Sequence, residues 1–351
     1  MSNDPDMFMV RHHTNDGHNL SVGEPAFLQH SLDFLNILEP IDNLHYPIVG
    51  GEKFLLEELH KLHPNFKHIV VTVGAKQGLL ASLYALGQDY RYQTISKDRN
   101  TGEELAYNHI VYGKRLVHHP APHWPSFPTL SKLSGMGFTS TPDAAAIRIV
   151  TSPNNPNGKE ISLNTPLDIW DAAYFNPLFP LYGHTQALNG RMAVFSAAKM
   201  FGVSAYRIGW VGTNEASLAK FAAEYVEKST TGVCILAQNQ MAGILRHIRR
   251  YGDGIPEFEK ARKILEQNAT NLHRALDSYI DIYEGAPKGM FAWIKAKDAA
   301  KFANALNMAK VQVVPGLACG MTEAGWFRLS IGWQTEYLDK ALIDLKKELD
   351  A

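Results

Sequence analysis

The sequence predicts an α/β protein, with a large domain on a mostly parallel sheet flanked by helices and a smaller α+β domain after it. Two observations carry this. Short, continuous apolar runs rich in β-branched residues, typical of strands buried on both faces, alternate with segments of helical spacing. Beyond Asp281 the alternation gives way to a more mixed order of strands and helices.

Residues 1–40 read as irregular with one short helix, and 52–63 as a helix. Ile69–Val73 is a buried strand ended by Gly74, and Gln77–Leu86 resumes at helical spacing, which makes a strand–turn–helix unit. Further strands are expected at 110–117, 147–151, 168–171, Met192–Ser196 and Ile208–Thr213, with helices at 126–134, 215–228, 234–250 and 257–279. Only about a dozen residues, Pro166 among them, separate Gly158 from Asp171. A crossover helix needs roughly 10–12 residues in all, so a loop is expected there. The smaller domain reads as strand Met290–Ala296, helix 298–308, strands Val311–Val314 and Trp326–Ile331, and an amphipathic helix over 336–349. This divides the chain into an N-terminal segment, 1–40, packing with the small domain, a large domain, 41–235, and a small C-terminal domain, 236–351.

Composition excludes several classes. At 45% hydrophobic and 20% charged residues, the chain can bury a large core. A net charge of −1 provides no global field for nucleic acid or anionic membrane. No run reaches 18 apolar residues, and the opening Met-Ser-Asn-Asp-Pro-Asp lacks a basic region leading into an apolar one. Two distant cysteines, Cys234 and Cys319, form no disulfide framework, so a reducing, cytoplasmic setting is expected. Fifteen histidines include no His-Glu-x-x-His and no finger spacing, and no metal site is expected.

The chemistry concentrates in Phe195-Ser-Ala-Ala-Lys-Met-Phe-Gly-Val-Ser-Ala-Tyr-Arg-Ile-Gly-Trp-Val211. An apolar strand delivers Ser196, then Lys199, then Arg207. Cationic neighbours and burial lower an amine's pKa, which makes a lysine a nucleophile toward an aldehyde. Ser196 and Arg207 offer a hydroxyl and a forked guanidinium to a phosphate. Ser-x-x-Lys also occurs in serine β-lactamases and penicillin-binding proteins, but the late Lys-Thr-Gly they need is here Thr230-Thr231-Gly232. Upstream, Thr151-Ser-Pro-Asn-Asn-Pro-Asn-Gly158 follows one strand and Asp171-Ala-Ala-Tyr174 ends the next, where open α/β sheets place ligand contacts. Taken alone, the first is a turn and Asp171 a helix cap or ion-pair partner. The turn Gly74-Ala75-Lys76-Gln77 opens a helix whose first amides suit an anion, and Trp124 is a candidate to stack on a planar ring.

Together, Gly74-Ala75-Lys76-Gln77, Trp124, Asn155-Pro-Asn-Gly158, Asp171-x-x-Tyr174, Ser196-x-x-Lys199, Arg207-x-Gly209 and Phe327-Arg328-Leu-Ser330 resemble the fold-type-I pyridoxal 5′-phosphate (PLP) aminotransferases over nearly the full length. Trp170-Asp-Ala-Ala-Tyr-Phe-Asn-Pro177, Glu58-Leu-His-Lys-Leu-His63 and His68-Ile-Val-Val-Thr-Val-Gly74 look like the alliinase and tryptophan–pyruvate aminotransferase branch. That branch's cysteine-rich N-terminal extension is missing, and its Gly-Ser-Thr turn is Gly-Ala-Lys here. The resemblance implies a seven-stranded-type sheet and PLP as cofactor. It implies that Lys199 carries PLP as a Schiff base and shuttles the proton, and that Asp171 protonates the pyridine. Tyr174 and Asn155 would bind the phenolic oxygen. Ser196, Arg207 and the amides of Ala75 and Lys76, after Gly74, would grip the phosphate, with Trp124 on the ring. Arg328, assisted by Asn155, would bind the substrate α-carboxylate, and Gly23 would admit the backbone to the substrate. Tyr46 would reach the partner subunit's phosphate, so a homodimer with shared sites follows.

The implied activity is ping-pong transfer of an amino group from an L-amino acid, aromatic or apolar, to a 2-oxo acid. No second arginine is placed for a side-chain carboxylate. Two alternatives remain: C–S β-elimination on the same cofactor, and a non-catalytic protein of the same fold, against which intact Lys199, Asp171 and Arg207 argue.

Overall fold

Strands that are apolar on both faces must be covered on both faces, and the helices of this chain do so. The computed structural model describes residues 17–23, 45–92, 116–161, 167–175, 190–251, 256–284 and 289–351. The elements run β1 (His18–Asn19), α1 (Lys53–Leu62), β2 (His68–Thr72), α2 (Gly74–Tyr92), β3 (Leu116–His118), α3 (Phe127–Leu133), β4 (Gly137–Thr139), β5 (Ile147–Thr151), β6 (Leu167–Asp171) and β7 (Gly190–Ser196). There follow α4 (Ala197–Phe201), β8 (Gly209–Thr213), α5 (Ala216–Thr230), α6 (Ile235–Tyr251) and α7 (Pro256–Leu276). The C-terminal part comprises β9 (Ile280–Glu284), β10 (Phe291–Ala296), α8 (Ala299–Met308), β11 (Val311–Gln312), β12 (Val314–Pro315), β13 (Trp326–Ser330) and α9 (Thr335–Asp350).

Seven strands form the main sheet in the order β2-β8-β7-β6-β5-β3-β4. β8 runs antiparallel to both of its neighbours, and the other pairings are parallel. Alternation along β7 sets the two layers. Met192 and Val194 join Leu79, Leu83, Leu218 and Val226 under α2 and α5. Ala193 and Phe195 join Leu55, Leu59, Trp170 and Trp210 under α1 on the other face. A second sheet, β12-β13-β10-β9, is antiparallel and is covered by α7, α8 and α9. Its opposite face carries Phe291, Trp293 and Arg328, because Trp293 lies directly across from Arg328 in the ladder.

Three expectations change. Val311–Val314 is two strands: β11 pairs with β1, and β12 pairs with β13. β4 and β9 were not anticipated; both lie at sheet edges, where half-exposed residues blur the apolar signal. The helix expected through 279 ends at Leu276, with a 3₁₀ turn over Asp277–Tyr279. The described part of the β5–β6 connection, 152–161, contains no helix. The short helix expected within 1–40 and the start of the strand expected at 110–117 lie mostly or wholly outside the described residues. Among the described residues, no helix is long and apolar enough to cross a membrane.

Candidate active site

The strand register aligns the chemistry along one edge of the main sheet. Thr151 lies opposite Asp171, and Asp171 opposite Val194. Ser196 lies opposite Gly209, which also faces Thr72. The carboxyl ends of four parallel strands therefore converge, the usual ligand edge of an open α/β sheet.

Asp171 is 3% exposed. Its Oδ2 accepts from Thr151 Oγ1 at 3.1 Å and its Oδ1 from the Ala173 amide at 3.1 Å. Burial pushes its carboxyl up to about 6, against the pull of those two donors. Behind Thr151 stands His119. The Thr151 amide donates to His119 Nε2 at 3.3 Å, and His119 Nδ1 sits 2.7 Å from the Pro120 carbonyl. These contacts fix a neutral imidazole with its proton on Nδ1, and burial lowers its pKa to about 4. A polar chain from His119 through Thr151 thus ends on the Asp171 carboxylate.

A second cluster joins the two sheets. Asn155 Nδ2 donates to the Tyr174 hydroxyl at 3.1 Å, and Asn155 Oδ1 accepts from Arg328 Nη1 at 2.7 Å. Arg328 is fully buried; its Nη2 donates to the Ser21 carbonyl. Its guanidinium carbon lies 4.3 Å from the centroid of the Phe291 ring. Burial raises the Tyr174 pKa, partly opposed by the Arg328 charge, and lowers that of Arg328, which stays cationic. Gly23 closes the group: a Cβ there would lie 2.5 Å from Phe291 Cζ and 3.2 Å from the Tyr174 hydroxyl, so only glycine fits.

The third cluster surrounds the α2 N-terminus. Gly74 has φ +72, and a Cβ on it would meet Arg207 Nη2 at 2.7 Å. Arg207 is itself left-handed (φ 51) and exposed, with Nη1 donating to Ser204 O at 3.1 Å. Gly209 lets β8 approach closely, since its Cβ would come within 2.8 Å of the Ala75 amide nitrogen. Ser196 is buried at the N-cap of α4, and Lys199 is the half-buried residue of a helix whose other members are buried. Trp124 is half-buried with Lys76 Nζ 5.3 Å from its ring centroid.

The structure thus groups Asp171 at the sheet edge, Asn155, Tyr174, Arg328 and Gly23 beside it, and Gly74, Ala75 and Arg207 at the helix start. Tyr46, 86% exposed, belongs to none of these groups within one chain. Thr151, His119, Ser21 and Phe291 were missed by sequence reasoning; only the place of Thr151 at a strand end, across from an aspartate, hinted at its part. Among the described residues, no group of three or more His, Cys, Asp or Glu is arranged to hold a metal.

These residues fit PLP. A buried carboxylate whose hydrogen-bond donors are neutral suits a protonated pyridine nitrogen. A glycine-lined helix start with a guanidinium laid against it suits a phosphate. A family model described as "Allinase" matches residues 55–348. The chain belongs to the allinase family. Membership places it in the fold-type-I, aminotransferase-like group.

Relatives of this chain include tryptophan aminotransferase-related protein 2 of Arabidopsis thaliana, 28% identical over 66% of this chain and 54% of that protein. The protein of that name in Oryza sativa subsp. japonica is 28% identical over 55% of this chain and 37% of its own length. The chain therefore spans about half the length, or less, of these two relatives. Aspartate aminotransferase of Pyrococcus abyssi is 25% identical over 94% of this chain and 91% of that protein. Two solved structures share the fold, each with a TM-score of 0.72. The aromatic aminotransferase from Pyrococcus horikoshii OT3 is 18% identical, covering 96% of both chains. A tetra mutant of Thermus thermophilus aspartate aminotransferase complexed with tryptophan is 20% identical, covering 99% of this chain and 97% of that one.

Proposed function

We propose that this allinase-family chain is a PLP-dependent aminotransferase that moves the amino group of an L-amino acid, aromatic or apolar, to a 2-oxo acid in ping-pong half-reactions. The observation that carries this is the continuous hydrogen-bonded link Arg328–Asn155–Tyr174, which ties a buried guanidinium to the residues beside Asp171. When bound, PLP supplies an electron sink for the pair left by removal of the α-proton. Lys199 would hold the cofactor through Nζ, and its amine would take the proton from the substrate's α-carbon. Asp171 would keep a proton on the pyridine nitrogen. Asn155 and Tyr174 would hydrogen-bond the phenolic oxygen. Arg207, Ser196 and the amides of Ala75 and Lys76 would bind the phosphate, and Trp124 would lie against the ring. Arg328 receives the α-carboxylate.

The family model gives weight to a second reading, β-elimination from an S-substituted cysteine. Both begin with the same proton transfer by Lys199. A panel of amino acids, added without an oxo-acid acceptor, separates them. Transamination shifts the cofactor absorbance once, to the aminated form, and then stops. Continuous release of pyruvate and thiol would overturn the transaminase reading.

The proposal includes a homodimer. Tyr46, Ile48 and Leu236 are 86%, 58% and 50% exposed, and Pro47 packs so tightly on Gly232 that a Cβ there would lie 2.8 Å from Pro47 Cγ. This rigid apolar patch is covered by a second copy, and Tyr46 then reaches its partner's phosphate site. Light scattering should return twice the chain mass. Ile48→Glu should give monomers with weakened PLP retention, whereas a fully active wild-type monomer would refute the assembly.

A further inference from the structure

Arg328 carries five N–H donors, and two fixed acceptors orient it: the Asn155 side chain and the Ser21 main-chain carbonyl. The second lies in the described segment 17–23, about 300 residues away in sequence, and that segment is fastened to the small sheet and its helices at every step. The His18 amide donates to Lys310 O at 2.9 Å, and the Leu20 amide to Gln312 O at 2.8 Å. The Ser330 amide, two residues along the strand from Arg328, donates to Leu20 O at 2.7 Å. From α9, the Tyr337 hydroxyl accepts from the Asn19 amide at 2.7 Å, and Asp344 Oδ2 holds His18 Nε2 at 2.7 Å. Asn19 then folds back: its Oδ1 accepts from the Ser21 amide at 3.0 Å and from the Ser21 hydroxyl at 2.6 Å. That turn aims the Ser21 carbonyl.

The acceptor's chemistry matters. A carboxylate in that place would neutralise the guanidinium and compete with an incoming carboxylate. A peptide carbonyl takes up one N–H and leaves the full positive charge for the ligand. Its anchors lie at β11, on β13 and on α9, so the segment is tied to the strand that carries Arg328 and to the helix packed behind it.

We propose that residues 18–21 form a positioning strap for Arg328. Asn19 and the remote His18–Asp344 pair fix the Ser21 carbonyl, which in turn holds the guanidinium in the orientation that receives an amino acid's α-carboxylate. The inference rests on the substrate-binding role given to Arg328 above. Neither Asn19 nor Asp344 touches the reacting groups; both act through Ser21.

The test uses the PLP-loaded protein and follows cofactor absorbance during titration with an L-amino acid, and separately with the corresponding amine, which lacks the carboxylate. In Asn19→Ala and in Asp344→Ala, the apparent Kd for the amino acid rises by about tenfold, the scale of one charged hydrogen bond. The Kd for the amine stays at the wild-type value, and kcat changes less than twofold. Asp344→Asn, which keeps an acceptor oxygen for His18, recovers most of the affinity. Asp344 is partly exposed on α9, so its substitution spares the core. An equal shift for amino acid and amine, or no shift in either, overturns the strap. A wild-type protein whose cofactor responds to no amino acid overturns the aminotransferase reading itself, a different result from a normal wild type with unaffected variants.

Discussion

Lys199→Ala should lower kcat/KM for amino-group transfer by on the order of 10⁴-fold or more, because on the proposed reading it would remove both the covalent anchor and the proton shuttle. The local structure explains why the loss should be confined to chemistry. Lys199 sits in the five-residue α4, which follows Ser196 and is ended by left-handed Gly202 (φ 72). Its neighbours Ala197, Ala198, Met200 and Phe201 are all buried, and Lys199 alone is half-exposed. Alanine at that position leaves the packed face untouched, so the fold should survive. Lys199→Arg separates charge from nucleophilicity: a guanidinium preserves the cation but does not lose its proton, and that variant should be as inactive as the alanine. Borohydride reduction followed by peptide mass analysis gives a direct readout. Wild type should carry the reduced cofactor on Lys199, and neither variant should carry it there. Labelling at another lysine, or sustained transfer by Lys199→Ala, would remove the basis of the assignment.

Much of this site was legible in the sequence because it sits where buried strands end. Met192–Ser196 is apolar on both faces and Ile147–Thr151 nearly so, Arg148 being its one exposed residue, so their ends could be placed, and with them Asp171, Ser196 and the turn at Gly74. Edge strands gave no such signal. β9 has one buried residue in five, and β4 has none. The division of Val311–Val314 between two sheets was equally hidden, because a run of valines looks the same whichever neighbour it pairs with. The polar contacts that complete the site were the least legible. His119 and Thr151 are 32 residues apart, and Ser21 and Arg328 are 307 apart. Hydrogen-bond partners at such separations leave no periodicity. They follow only from the register that places Thr151 beside Asp171 and from the strap that brings Ser21 to β13.

The buried Asp171 should make one substitution act in opposite directions with and without cofactor. In the cofactor-free protein, burial raises the Asp171 carboxyl to about 6 from its ordinary 3.8. The folded form therefore keeps a proton that the unfolded chain releases. The stability this contributes is fully present below pH 3.8 and is lost as pH rises through about 6, a cost on the order of 3 kcal/mol at neutral pH. His119 supplies the opposite limb. Its pKa is lowered to about 4 from 6.5, so its contribution is present above 6.5 and is lost as pH falls through about 4. Asp171→Asn removes the first limb and leaves the second. Above pH 6 the cofactor-free variant should resist urea better than wild type, by up to the same few kcal/mol. On the proposed reading, a protonated pyridine nitrogen facing the carboxylate would offset the burial cost once PLP is bound. The same substitution should then weaken cofactor retention and lower kcat/KM by about 10³-fold, the scale of losing a preorganised charge at a reacting centre. Urea titrations of both forms at pH 5 and pH 8 test this. A loss of stability in both forms would show that Asp171 is held by structural contacts and is not waiting for a cation.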